Sequence, residues 1–280
     1  MAERALSEQE APRNRAAKNH EEKLSEKHGA LKTPDIYAVV RQRGIDEMRR
    51  PATSLWWSGV AAGLSISFSL LAQALLELAV PDASWKNLVT ALGYPVGFVM
   101  VVLSGQQLFT ETTITAVLPL MADFKPMNAA RMARMWSIVL IANTVGTLIA
   151  ALFCSFTPVL PPETLDTMRE IGERLFENGP IEMFFKAISA GFLMAAMVWL
   201  IPSAGSTQLW IVVLMTYLIG AGNFVHIVGG SVETFLLVLH GDLGLPRLLL
   251  DFTLPALAGN IVGGTALFAL ISYAQVMNEI

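Results

Sequence analysis

Beyond residue 50 this chain is short of charge. The first fifty residues hold eleven of the nineteen Lys and Arg and nine of the twenty-three acids, leaving eight basic and fourteen acidic side chains for everything that follows. A surface so sparsely and slightly negatively charged excludes nucleic acid as a partner, because phosphate backbones are met by clustered positive charge. Cysteine is nearly missing: Cys154 stands alone, which rules out an intrachain disulfide and leaves no thiolate set for a metal. No apolar core of signal-peptide type lies near the start, so no cleaved secretory signal is expected. Outside the glycine-broken segments described below there is no HExxH, phosphate loop, nucleophile elbow or acid and histidine cluster at metal-ligand spacing. These absences argue against an enzyme, a metal site or a cofactor.

What the chain has in abundance is apolar sequence. Hydrophobic residues make up 54% against 15% charged, and the mean hydropathy is +0.53. That is the composition of a polytopic membrane protein. Six apolar segments follow one another: Leu55 to Leu78, Leu88 to Leu120, Met132 to Phe156, Met183 to Ile201, Leu209 to Leu239 and Phe252 to Met277. Residues 1–34 mix Glu, Lys, Arg, Ala and Ser without an apolar period and are expected to form a disordered cytoplasmic tail. Residues 35–50 carry Ile36, Val39, Val40, Ile45 and Met48 among charges, the pattern of a short amphipathic helix at the membrane surface. Residues 51–280 form the transmembrane domain. Arg49 and Arg50 before the first span, with Lys125, Arg131 and Arg134 between the second and third, place the N-terminus and, with six spans, the C-terminus in the cytoplasm. The acidic stretch Pro161 to Glu182 belongs outside, as a surface helix. Pro202 to Gly205 form a tight inner turn.

The second and fifth segments are too long for one straight span. As a continuous helix Leu209 to Leu239 measures roughly 45 Å, against a bilayer core of about 30 Å. Gly220, Gly222, Gly229 and Gly230 mark where the fifth breaks, and His226 sits among them. In the second, Gly105 opens the run LSGQQLFTETT, which carries Glu111 at a depth where charge is expensive. Non-helical backbone survives at that depth only beside protein or a water-filled cavity, so an ionisable residue in such a break is a candidate transport group. Breaks at matching positions of two three-span halves, facing opposite ways, point to an inverted repeat with the permeation site at the two breaks. Span six contributes GNIVGG, Gly259 to Gly264, whose small residues permit close helix contact.

GQQLFTETT after GFVMVVLS, the glycine-flanked FVH, the VW of AAMVWL and GNIVGG resemble the formate/nitrite transporter family, over about residues 40–278. The resemblance implies an all-α homopentamer of aquaporin-like protomers in a bacterial inner membrane, each with its own pore. It implies that the family's loop threonine is Thr110 and its central histidine His226. By count from those anchors, an inner hydrophobic constriction falls on Tyr94 and Phe98 and an outer one on Leu108, Phe109, Met194 and Ile219. A basic residue near the outer end of span four matches Lys186. The family's pore-facing asparagine in span four becomes Gly191, and the acid before the central histidine becomes Val225, which removes a polar group and a charge partner from the pore.

The function so implied is transport of small monovalent anions or weak acids of the formate/nitrite class, with a proton as partner. An anion in an apolar pore loses hydration worth several kcal/mol. His226, bonded to Thr110, would supply a proton or a polarised N–H at the midpoint, while half-helix N-termini attract the anion. Glu233, seven residues beyond His226, is a replacement for the acid lost at Val225; Glu233 and Glu111 can equally serve helix ends or a protomer interface. Two rival readings stand beside this one. They are a passive channel for water or small neutral solutes, and a membrane scaffold with a vestigial pore whose charged tail recruits a partner.

Overall fold

The structure is a computed structural model that describes residues 31–177 and 179–279. The tail expected over residues 1–34 thus lies, for residues 1–30, outside the described residues. All regular elements among the described residues are helical.

Helix α1 (Thr33–Arg49) starts with Pro34 in its first turn, where an absent N–H costs nothing. It buries Ile36, Tyr37, Val40 and Met48, and also Glu47, which the apolar pattern does not mark. Helix α2 (Ala52–Ala79) has 28 residues, about 42 Å at 1.5 Å per residue. It runs from α1 to the opposite end of the molecule, where Arg174 donates to Glu77 at 3.0 Å. Helix α3 (Lys86–Leu103) comes back from that end. The chain then turns at Gly105, whose φ of +65° suits glycine, and resumes as α4 (Phe109–Thr115) and α5 (Val117–Ala122). Helix α6 (Pro126–Phe156) crosses again, and α7 (Pro162–Glu173) with a tight turn at Arg174–Glu177 covers the end opposite α1. The second half follows as α8 (Pro180–Leu200), α9 (Gln208–Ala221) and α10 (Ile227–His240). The last helix, α11 (Leu245–Val276), begins earlier than the sequence suggests and contains two stretches of π-helical turns, Leu248–Thr253 and Val262–Ala269. The second of these includes part of GNIVGG.

Five helices, α2, α3, α6, α8 and α11, are long and apolar enough to cross a membrane; α9 and α10 are shorter apolar helices. Two helix pairs frame the molecule, α2 with α6 and α8 with α11. Each pair closes to backbone contact through glycine. A Cβ on Gly63 would lie 2.3 Å from the Asn143 carbonyl oxygen, and one on Gly191 would lie 2.3 Å from that of Asn260. Gly191, read from the resemblance as a pore-facing position that has lost its polar group, instead faces α11. Its glycine is required by contact with α11, and a side chain there would part the two helices.

Candidate functional site

Both long segments break, and the breaks meet. The first is Ser104 to Leu108, between α3 and α4; the second is Gly222 to His226, between α9 and α10. Each is held by an asparagine from the neighbouring long helix. Asn143 of α6 accepts the Phe109 N–H at 2.9 Å and donates to the carbonyls of Gly59 and Gln107, both at 2.9 Å. Asn260 of α11 accepts the Ile227 N–H at 2.8 Å and donates to the carbonyls of Ala187 and Val225, at 2.8 and 2.9 Å. Each asparagine is buried and satisfies an orphan N–H at the start of a half helix, a carbonyl in the break before it, and a carbonyl of the helix alongside. Asn143 does not stand out in the sequence, and Asn260 lies within GNIVGG, where the glycines and not the asparagine carry the signal.

His226 is the N-cap of α10. Its Nδ1 accepts the Gly229 N–H at 3.1 Å, and its Nε2 lies 2.6 Å from Thr110 Oγ1. Because Nδ1 accepts, the neutral ring carries its proton on Nε2 and donates it to the Thr110 oxygen. The edge of the imidazole packs against Phe98, with centroids 5.0 Å apart, and Phe98 stacks in turn on Tyr94 at 5.1 Å. His226 and Thr110 are both buried, at 1% and 0% exposure, so their bond is made out of bulk solvent.

A cavity of about 200 Å³ leads to His226 from the end where α7 lies. Tyr94, Lys186, Ile219, Val225 and Glu233 line it, with Glu77, Arg174 and Glu177 toward the mouth. Val225 contributes its carbonyl to Asn260 rather than a charge to the cavity. Lys186 pairs with Glu182 at 3.0 Å. Glu233 is 7% exposed and faces the cavity wall from α10, directly under Gly172 of α7.

Several placements differ from expectation. Tyr94 and Ile219 line one and the same cavity, so they do not belong to constrictions on opposite sides of His226. Tyr94 lies on the α7 side, not the α1 side, because α3 enters from the α7 end and Tyr94 follows Lys86 by only two turns; Phe98, one turn further on, lies against His226 itself. Leu108 and Phe109 lie toward α1: Phe109 packs edge-on against Trp136 at 5.6 Å, and neighbouring Gln107 donates to Glu47 of α1 at 3.3 Å. Met194 is fully buried in α8. Glu111, read as a pore-lining or accessory acid, does not line the cavity; it anchors α1, accepting from Arg43 at 3.2 Å. Arg43 also donates to Glu47 at 2.9 Å, and Glu47 accepts from Thr115 at 2.7 Å.

A helical membrane protein whose broken helices bring a buried histidine to the end of a cavity belongs to the class of channels and carriers. Residues 34–274 match the family described as formate/nitrite transporter, and the chain belongs to that family. The chain is 44% identical to the inner membrane protein YfdC of Escherichia coli (strain K12) over 244 residues, 87% of this chain and 79% of that one. Its fold is similar to that of a solved FNT family ion channel, with a TM-score of 0.76 and 18% identity over 86% of this chain and 99% of the other. It is also similar to a pentameric formate channel with formate bound, with a TM-score of 0.68 and 16% identity over 81% and 98% of the two chains. The chain is a transport protein, not an enzyme.

Proposed function

We propose that the chain carries small monovalent anions of weak acids, of the formate and nitrite class, across a bacterial inner membrane, with His226 as the central group. The observation that carries this reading is His226 at the end of the cavity, fixed between Thr110 and Phe98 where the two broken helices meet. In this reading the protein crosses the membrane six times, with α3 to α5 as the second crossing and α9 with α10 as the fifth. The two oppositely directed halves form an inverted repeat, supported by the matched bonding of Asn143 and Asn260. Arg49, Arg50, Arg131 and Arg134 gather at the α1 end, which supports cytoplasmic termini. The pentameric state of a fold neighbour supports a homopentamer. Residues 1–34 then form a cytoplasmic tail, 35–50 a surface segment and 51–280 the transport domain.

The apolar side chains of Tyr94, Phe98, Leu108, Phe109, Met194 and Ile219 oppose a bare anion, since stripping its hydration costs several kcal/mol. Two features offset that cost. The half helices α4 and α10 turn their N-terminal, positive ends toward the break, and Nε2–H of His226 is a polarised donor. Protonation lowers the barrier further, because a neutral weak acid avoids most of the dehydration cost. Lys186 and Arg174 at the cavity are paired with Glu182 and Glu77 and so balance the acids around them, while Glu233 deeper inside disfavours anions that stay charged.

Purified protein in liposomes under an imposed pH gradient tests this with formate, nitrite, acetate and lactate. Uptake should follow the gradient and be lost in His226→Ala. In His226→Asn, which donates without titrating, pH dependence should vanish. Full pH-dependent flux through His226→Asn would remove the proton role, and intact protein passing only neutral solutes would remove the anion role.

A further inference from the structure

A second cavity, of about 210 Å³, lies at the α1 end, far from His226, and nothing in the transport reading uses it. Arg41 and Arg49 of α1 line one side, and Arg131 and Asn128, from the first turns of α6, line the other. Its one acid, Asp123, is held by Lys125 at 2.6 Å rather than by Arg41 or Arg131. Arg41 Nε is out of contact with solvent and has no hydrogen-bond partner among the described residues. A guanidinium N–H so placed is costly unless a ligand accepts from it. The 31-residue helix α6 has no side-chain cap at its N-cap, Lys125, so its positive end adds to the same field.

We propose that this recess is a binding site for the phosphate of an anionic phospholipid headgroup. Guanidinium groups suit phosphate because their planar N–H pairs match its oxygens, and arginine-lined recesses at a membrane surface gather anionic lipid. The neighbourhood selects lipid over a soluble phosphate. Phe124, in the turn that carries Asp123 and Lys125, and Met127, in the first turn of α6, are 77% and 62% exposed. In water these side chains are unfavourable; beside a seated headgroup they meet its acyl chains. The lipid would tie α1 to α6, the two elements whose contact with α4 and α5 backs the first break.

The test is lipid retention by the full-length protein in detergent, read by native mass spectrometry during titration with phosphatidylglycerol or phosphatidylcholine. Phosphatidylglycerol should bind preferentially. The double variant Arg41→Gln with Arg131→Gln should bind it on the order of 30-fold more weakly, the effect of two surface arginine charges. Arg134→Gln is the control: it lies at the same end but donates to the Arg50 carbonyl at 3.4 Å and does not line the recess. It should leave retention unchanged. Millimolar inorganic phosphate should not displace the lipid; displacement would assign the site to a soluble phosphate and overturn the lipid source. Equal losses in the control and the double variant, with both folded by circular dichroism, would reduce the effect to general surface charge and overturn the site.

Discussion

Replacing Asn260 by alanine should damage this protein more than any other single amide-to-methyl change in the second half. The side chain satisfies the Ile227 N–H and the Val225 carbonyl, neither of which has another partner among the described residues, and a third bond ties them to Ala187. A buried polar group left without a partner costs about 1–3 kcal/mol, so two such groups set an upper estimate near 6 kcal/mol. Hydrogen bonds inside membrane proteins average about 0.6 kcal/mol each, so three bonds set a lower estimate near 2 kcal/mol. The loss falls on the residues flanking His226, so the imidazole would no longer be held against Thr110. Equilibrium unfolding in mixed detergent and SDS, with formate flux on the same preparations, reads both effects. Asn143→Ala should destabilise by a similar amount because its three bonds match, but it should reduce flux less, since it holds Phe109 and Gln107 rather than the histidine break. If either variant unfolds within about 0.5 kcal/mol of the parent, the size of an ordinary surface change, the two asparagines are not what holds the breaks.

Two further outcomes follow from the charged groups. Glu233→Gln should raise the flux of anions that cannot be protonated, such as nitrate, relative to formate by several-fold, because the cavity then lacks its deep carboxylate; an unchanged ratio in liposomes would leave Glu233 a packing residue. Arg43→Gln strips the buried Glu111 of its one ion-pair partner among the described residues and should destabilise the fold. Breaking a wholly buried pair costs about 3–5 kcal/mol; Arg43 is 37% exposed, so about 1–3 kcal/mol is expected here. Glu111→Gln in the same chain should recover most of it, and a double-mutant cycle that shows no coupling would dissolve the anchor.

The parts of the fold set by length and hydropathy were legible in the sequence. Segments two and five were too long to cross straight, and their glycines marked where they turn; Gly105 and Gly222 lie in the observed breaks. The pairing of His226 with Thr110 was reachable only through resemblance to a family, because the two residues are 116 positions apart and neither span shows a periodic polar face. Gly191 reads as a lost pore polar group for a related reason: a sequence shows which side chain is missing there but not what it faces, and only the Asn260 carbonyl oxygen, 2.3 Å from where a Cβ would sit, shows the helix contact. The two asparagines were invisible because their role depends on unpaired backbone groups that exist only once the helices break. Arg43 and Glu47 carry no signal in the sequence beyond the charges of an amphipathic segment, and their use shows only with Glu111 and Thr115 beside them.

The tautomer of His226 determines what Thr110 can do. Nδ1 is occupied by the Gly229 N–H, so a proton added there must first break the cap of α10, and the ring remains a neutral Nε2–H donor in the resting protein. That one donor is already given to Thr110, which does not line the cavity, whereas His226 does. An oxyanion arriving through the cavity must therefore compete with the threonine hydroxyl for Nε2–H. Thr110→Val keeps the shape and removes the competitor. The freed N–H is then buried without an acceptor, a state costing about 1–3 kcal/mol that substrate would relieve, so half-saturation should fall by about tenfold. Maximal flux should fall too, since the departing anion has no threonine to replace it. Concentration-dependent uptake in liposomes separates the two constants. A Thr110→Val protein that loses flux with half-saturation unchanged would mean that the threonine holds the imidazole in place and does not exchange with substrate.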